Sequence, residues 1–233
     1  SEIAQRYGFS LVEDAAHSPG AWSENGGTSE RSGACNHTQA AILSFHPVKH
    51  ICCGEGGAVL TNDEELADRI VHLRSHGITR PNEPDGARPW FYEQTELGWN
   101  YRLTDIQSAL GISQLARLDQ FLVRRRVLAT RYQDSLSTSP FSDIFSLPLA
   151  HSGHAWHLYV IRFHETGQRD KAHLFLKEHG IHTQIHYVPI YRHPYYERRF
   201  GKIRLPGAET FYESCLSIPL FPKMTDSEQD RVI

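Results

Sequence analysis

Lys49 stands in the loop H-P-V-K-H-I-C-C-G-E-G-G, directly after the apolar run Ala40 to Phe45. A loop lysine is ordinarily a solvated charge. This one follows what reads as the carboxyl end of a strand, where open α/β sheets place ligands. The glycines of its loop admit close backbone approach. A phosphate-cradling P-loop is excluded, because GxxxxGK[ST] is missing and His50 follows the lysine. Schiff-base formation with a carbonyl is the next chemistry open to such an amine. Pyridoxal phosphate (PLP) makes further demands. Its ring is an electron sink only while the pyridine nitrogen stays protonated, so a carboxylate should face that nitrogen. Its phosphate needs hydroxyl and amide donors. Asp14, after the run Phe9 to Val12, is placed for the first role, and a helix cap or loop carboxylate is an equal reading. Ser44 is placed for the second.

Other groups carry less. His182, Gln184 and His186 alternate, so on a strand they share a face. As a helix, His182 and His186 would form an i, i+4 pair suited to zinc. The preceding Gly180 and the alternation Ile181, Thr183, Ile185, Tyr187 favour a strand from Ile181 to Val188, and no third ligand is evident. The cysteines at 35, 52, 53 and 215 give no CxxC pair and no disulfide framework, which fits a reducing cytoplasm. Arg124-Arg125-Arg126 reads as a solvated helix face.

The elements that must position these groups alternate. Phe9 to Val12 reads as a buried strand ending in Glu13-Asp14, Ser23 to Thr38 as a surface loop, and Ala40 to Phe45 and Ala58 to Leu60 as strands. Thr61 or Asn62 should cap a helix carrying Leu66, Ile70 and Leu73, with Gly77 beyond its end. Pro81 to Pro89 is loop-like. Thr104 and Gln107 have capping-box spacing at the head of a long helical pattern with Ile106, Leu110, Leu118, Leu122, Leu128 and Tyr132 on its apolar face. Trp156 to Phe163 predicts a strand and Asp170 to His179 a helix ended by Gly180. The whole is an α/β chain. Residues 1–120 form an incomplete large domain and 121–233 a small C-terminal α/β domain, bridged by the long helix from about 104.

Composition narrows the function classes. A net charge of −3 gives no electrostatic case for nucleic acid or an acidic membrane surface. No apolar run approaches the ~20 residues of a spanning helix. Glu2 to Gly8 reads as the last turns of a helix, and the helix opened by Thr225 and Glu228 stops at Ile233. Both ends are therefore expected to be cuts through a longer protein.

L-V-E-D-A-A-H-S (11–18), S-F-H-P-V-K-H-I (44–51), G-E-G-G-A-V-L-T-N-D (54–63) and G-W-N-Y-R-L-T-D-I-Q-S-A-L-G (98–111) resemble the DegT/StrS-type family of sugar aminotransferases. The resemblance runs over essentially the whole chain. It implies the type I fold of PLP-dependent transferases, with PLP as cofactor. It implies that Lys49 binds the cofactor and shuttles protons, that Asp14 pairs with the pyridinium nitrogen and that His17 contacts the ring near its phenolic oxygen. It also implies Ser44 as a phosphate ligand and Asn100 as a phosphate contact reaching in from a neighbouring subunit, hence a homodimer with shared active sites. A nucleotide-linked keto-sugar and an amino donor, glutamate, are the implied substrates, and His186 is a weaker substrate candidate. W-F-Y-E (90–93), A-W-H-L-Y (155–159), Q-I-H-Y-V-P-I-Y-R-H-P-Y-Y (184–196) and S-I-P-L-F-P (217–222) are most similar to the pseudaminic-acid branch, which implies a UDP-linked 4-keto-6-deoxy sugar. Perosamine, desosamine or arabinose-type sugars are the alternatives, as is a fragment without cofactor. Family members that act as dehydratases replace the lysine, so Lys49 counts against that reaction. The stretch between His17 and Ala40 is longer than in the family pattern and reads as a surface insertion. The family's N-terminal phosphate-binding turn and ring-stacking aromatic have no counterpart in these residues.

Overall fold

The computed structural model describes residues 2–80 and 88–233, so the expected loop from Pro81 falls, as far as residue 87, outside the described residues. The chain divides into two compact units, Ser1–Leu118 and Asp119–Ile233.

In the first unit, α1 (Glu2–Tyr7) stops at Gly8, which takes φ 65. A three-stranded sheet follows in the order β1-β4-β5. Its strands are β1 (Val12–Asp14), β4 (Ala40–Ser44) and β5 (Gly57–Leu60). β1 runs parallel to β4 with Asp14 opposite Ile42, and β5 is antiparallel to β4 with Gly57 opposite Ser44. Because β1 and β4 are parallel, the chain leaves Asp14 and Ser44 at the same end of the sheet. His17 and Lys49 lie in the segments that follow these two strands.

Three expectations need correcting here. The first strand begins at Val12, not Phe9, and it is not buried: Phe9 is 45% and Val12 60% exposed. β1 is an edge strand, and the buried residues of this unit are few and mostly small, chiefly Ala4, Ala15, Ala40, Ala41, Ile51 and Cys53. The expected loop from Ser23 to Thr38 holds a hairpin of β2 (Trp22–Asn25) and β3 (Thr28–Arg31). Gly26 and Gly27, at φ 57 and 84, make the two-residue turn that matches strand twist. The hairpin's exit is tied back to β1, since Ser32 Oγ and Gly33 N (3.0 Å) both donate to the Glu13 carboxylate. Finally, α2 (Glu64–Arg74) is capped by Asp63, whose carboxylate accepts from Leu66 N at 3.1 Å. Thr61 and Asn62 are otherwise engaged: Thr61 donates to Gln39 O and Asn62 to Ala34 O.

After α2 a short ribbon pairs β6 (Ile78–Thr79) with β7 (Glu93–Gln94). The long helix expected from Thr104 is two helices, α3 (Asp105–Leu115) and α4 (Leu118–Leu136), parted at Ala116 and Arg117. The capping box of Thr104 and Gln107 is formed. The shared apolar face is not: Ile106 is 84% exposed, whereas Leu122, Leu128 and Tyr132 are buried. One continuous period cannot serve two units with separate cores.

The second unit packs α4 on an antiparallel sheet ordered β10-β9-β8. In chain order it contains α5 (Phe141–Ile144), β8 (Phe145–Ser146), β9 (Tyr159–Phe163), α6 (Gln168–Glu178), a 3-10 turn at Ile190–Arg192, α7 (Pro194–Phe200), α8 (Pro206–Ser214), β10 (Cys215–Ile218) and α9 (Asp226–Asp230). Its core joins Leu128, Tyr132, Tyr159, Leu216 and Met224. The strand expected from Trp156 starts at Tyr159. The strand expected from Ile181 to Val188 is an extended segment with a single bridge, Gln184 to Ser217. Ile181 and Thr183 are buried and His182 and Gln184 exposed, so the alternation is real, but the pairing stops at that one bridge. The arginine run also differs from expectation. Arg125 is buried, and its guanidinium donates to the carbonyls of Trp156 (2.9 Å), His157 (3.1 Å) and Leu220 (3.0 Å). Burial pulls its pKa down to about 10.

Candidate active site

The lysine loop is built outward from the sheet. Beyond Ser44 the ladder continues irregularly, with Phe45 N donating to Gly56 O at 2.8 Å and Cys53 N to Phe45 O at 3.0 Å. These two bonds pinch off residues 46–52 as a closed excursion. Inside it, Lys49 N donates to His46 O at 2.9 Å, closing a four-residue turn with Pro47 in its second position, where a fixed φ favours turning. On the other side of Lys49, His50 and Ile51 are 2% and 4% exposed and anchor the loop in the unit's interior. Lys49 itself is half-buried.

The electrostatics connect the two residues on which the cofactor reading depends. Partial burial lowers the pKa of Lys49 below the ordinary lysine value, because the charged ammonium loses water. The carboxylate of Asp14 opposes this and raises it. Asp14 and Lys49 thus lie within electrostatic reach of each other, at the end of the sheet from which both β1 and β4 emerge. Asp14 is exposed at the strand terminus, and its Oδ1 accepts from Ala16 N at 3.1 Å. His17 follows in the turn after β1, half-buried. Ser44 is half-buried at the end of β4, and its Oγ accepts from His46 N at 3.5 Å.

Asn100 is positioned by α2. Trp99 N donates to Leu73 O (2.7 Å), Tyr101 N to Arg74 O (2.9 Å) and His76 N to Trp99 O (2.8 Å), so the W-N-Y segment is laid along the end of that helix. Two glycines make this approach possible. A Cβ on Gly77 would stand 2.2 Å from Glu96 O, and one on Gly98 would stand 2.4 Å from Gly77 N. Asn100 is exposed. His186 belongs to the other unit, where Nδ1 is 2.7 Å from Ser217 Oγ.

Three residues around the loop are not among the candidate site residues read from the sequence. His46 and Glu55 flank the lysine turn, with Nε2 and Oε1 3.9 Å apart. Gln107, in the capping box of α3, also donates to Glu55 O at 3.0 Å, which ties that helix to the glycine-rich end of the lysine loop. Their signs in the sequence are the place of His46 in H-P-V-K, that of Glu55 in G-E-G-G, and the capping-box spacing of Gln107 with Thr104.

A half-buried amine, a nearby carboxylate and a hydroxyl at one end of a parallel strand pair match the donor set that PLP requires. Comparison with known proteins gives the family. The chain belongs to the DegT/DnrJ/EryC1/StrS aminotransferase family, whose model matches residues 1–233. Its mixed α/β fold matches solved aminotransferases. Helicobacter pylori PseC, described as an aminotransferase involved in the biosynthesis of pseudoaminic acid, superposes with a TM-score of 0.89 at 30% identity, covering 99% of this chain and 59% of that one. DesV of S. venezuelae gives a TM-score of 0.82 at 34% identity over 99% of this chain and 58% of that one. The sugar aminotransferase Spr1654 of Streptococcus pneumoniae, described in PLP and PMP forms, gives 0.84 and 0.85 at 26% identity, covering all of this chain and 58% and 59% of those. The chain therefore spans under two thirds of the length of these relatives.

Proposed function

We propose that this chain carries the lysine-bearing part of a PLP-dependent sugar aminotransferase, with Lys49 as its catalytic residue. The observation that supports this most directly is the parallel β1–β4 pair, which brings Asp14 and the half-buried Lys49 loop to one end of the sheet. When bound, PLP supplies an electron sink that stabilises negative charge at the carbon losing or gaining a proton. The residues of the chain do the rest. Lys49, whose lowered pKa gives it free base at a lower pH than an ordinary lysine, would hold the cofactor and serve as the group that moves the proton. Asp14 holds a negative charge against the ring nitrogen, Ser44 offers a hydroxyl to the phosphate, and His17 borders the ring. Asn100, exposed on its glycine-supported segment, reaches the phosphate of a neighbouring subunit in a homodimer. His186 is the weaker candidate for a substrate contact in the second unit.

The substrate we propose is a UDP-linked 4-keto-6-deoxy sugar, aminated at C4 with glutamate as donor, as in pseudaminic acid biosynthesis. The motifs 90–93, 155–159, 184–196 and 217–222 and the likeness to PseC support this choice over perosamine, desosamine or arabinose-type sugars. The test uses the intact protein with added PLP and a panel of nucleotide-linked keto-sugars. The wild type should develop the visible-edge absorbance of lysine-bound PLP and aminate the UDP-linked 4-keto-6-deoxy sugar fastest. Lys49→Ala should lose both the absorbance and the amination. Retention of both would remove Lys49 from the mechanism, and a preference for another sugar would correct the substrate alone.

A further inference from the structure

His46 touches the lysine turn at two points. Its backbone oxygen accepts from Lys49 N at 2.9 Å, and its ring Nδ1 accepts from Val48 N at 3.4 Å. An acceptor at Nδ1 requires a lone pair there, so the ring proton sits on Nε2. Nε2 is turned toward Glu55, whose Oε1 lies 3.9 Å away. The two side chains are 48% and 73% exposed and their separation is beyond hydrogen-bond length, so Glu55 adds little to the turn. The imidazole thus acts as an aspartate or asparagine does in a side-chain-closed turn, accepting the N–H two residues on. Pro47 between them has no N–H to compete.

We propose that His46 is a positioning residue for Lys49: its ring caps the His46–Lys49 turn and keeps the lysine amine in its half-buried place. This rests on the reading of Lys49 as the cofactor-binding amine, but its central test needs no cofactor. Without the cap, the turn keeps one hydrogen bond instead of two, and Lys49 gains freedom to swing into water. Burial is the larger influence on its amine and Asp14 the smaller, opposing one. A solvated Lys49 should therefore titrate higher, nearer an ordinary lysine.

The experiment is competitive acetylation of Lys49 across a pH series, read by peptide mass spectrometry on the intact protein without added PLP, alongside amide exchange at Val48 and Lys49. His46→Ala should move the labelling midpoint of Lys49 upward and speed exchange at both amides about five- to tenfold, the loss of one weak hydrogen bond. His46→Phe, which keeps a ring but no acceptor, should behave as His46→Ala does. His46→Asn, which restores an acceptor for Val48 N, should return both readouts toward wild type. The side chain is half-exposed, so none of these variants removes core volume. An unmoved midpoint in His46→Ala, or failure of His46→Asn to restore what His46→Ala loses, overturns the proposal. Either result leaves the role of Lys49 to be decided separately by Lys49→Ala and PLP absorbance.

Discussion

Burial and the Asp14 carboxylate act on the Lys49 amine in opposite directions, and the two influences can be pulled apart. Asp14→Asn keeps an oxygen for Ala16 N and removes only the charge. Asp14 raises the Lys49 pKa, so its neutralisation should lower that pKa further, and the free amine should appear at a still lower pH. If Asp14 faces the ring nitrogen as proposed, the same variant should lose turnover by on the order of 10²-fold or more, because the ring would lose the charge that keeps its nitrogen protonated. Labelling of Lys49 against pH checks the first outcome, and single-turnover amination checks the second. A drop in turnover with an unmoved Lys49 titration would separate the two residues and weaken the proposed site.

At the scale of elements, the positions that matter are those where backbones touch. Gly77 has φ 65 and faces Glu96 O, while Gly98 faces Gly77 N, and together they let the W-N-Y segment seat on the end of α2. Glu96 is further held there by an ion pair to Arg69, and His72 Nε2 lies 3.1 Å from its Oε1. Gly77→Ala meets both an unfavourable φ and a backbone oxygen that cannot move aside. It should destabilise the first unit by about 3 kcal/mol, combining left-handed strain with overpacking. Chemical denaturation measures this, and amide exchange at Trp99 and Tyr101 should rise with it. Unchanged stability would mean that the segment carrying Asn100 is not held by this contact.

Across the whole molecule, the two units differ in how each holds itself together. The second has a contiguous core of aromatic and aliphatic side chains around Tyr132, Tyr159 and Leu216. At its edge, Arg125 gathers three carbonyls from two separate segments, and its own charge is kept despite burial. Arg125→Ala would leave those carbonyls without their donor and should cost this unit about 3 kcal/mol, read as a lowered denaturation midpoint. The first unit buries mainly alanines together with Ile51 and Cys53, and leaves Val12, Ile42 and Val59 at 60%, 38% and 40% exposure. Its exposed Trp99, Tyr101, Ile106 and Ile112 cluster in sequence with Asn100. A surface of that character is what the proposed dimer would cover.

Much of this was legible in the residues alone. Strand ends carrying Asp14 and Ser44, the lysine loop, the capping boxes at Thr104 and Thr225, and the family itself all rest on local patterns, because caps, turns and strand termini depend on neighbours a few residues away. Even the glycine turn of the β2–β3 hairpin was written locally, in Asn25-Gly26-Gly27, though the surrounding polarity masks it as a loop. The burial of Arg125, the cap at Asp63 in place of Thr61 or Asn62, and the division of one helical period into α3 and α4 were decided only by the tertiary structure. Each depends on which distant backbone atoms arrive as partners: Leu220 O for Arg125, Gln39 O for Thr61, Ala34 O for Asn62. Composition and periodicity report the chemistry that a side chain brings. Only the folded chain supplies the groups that it meets.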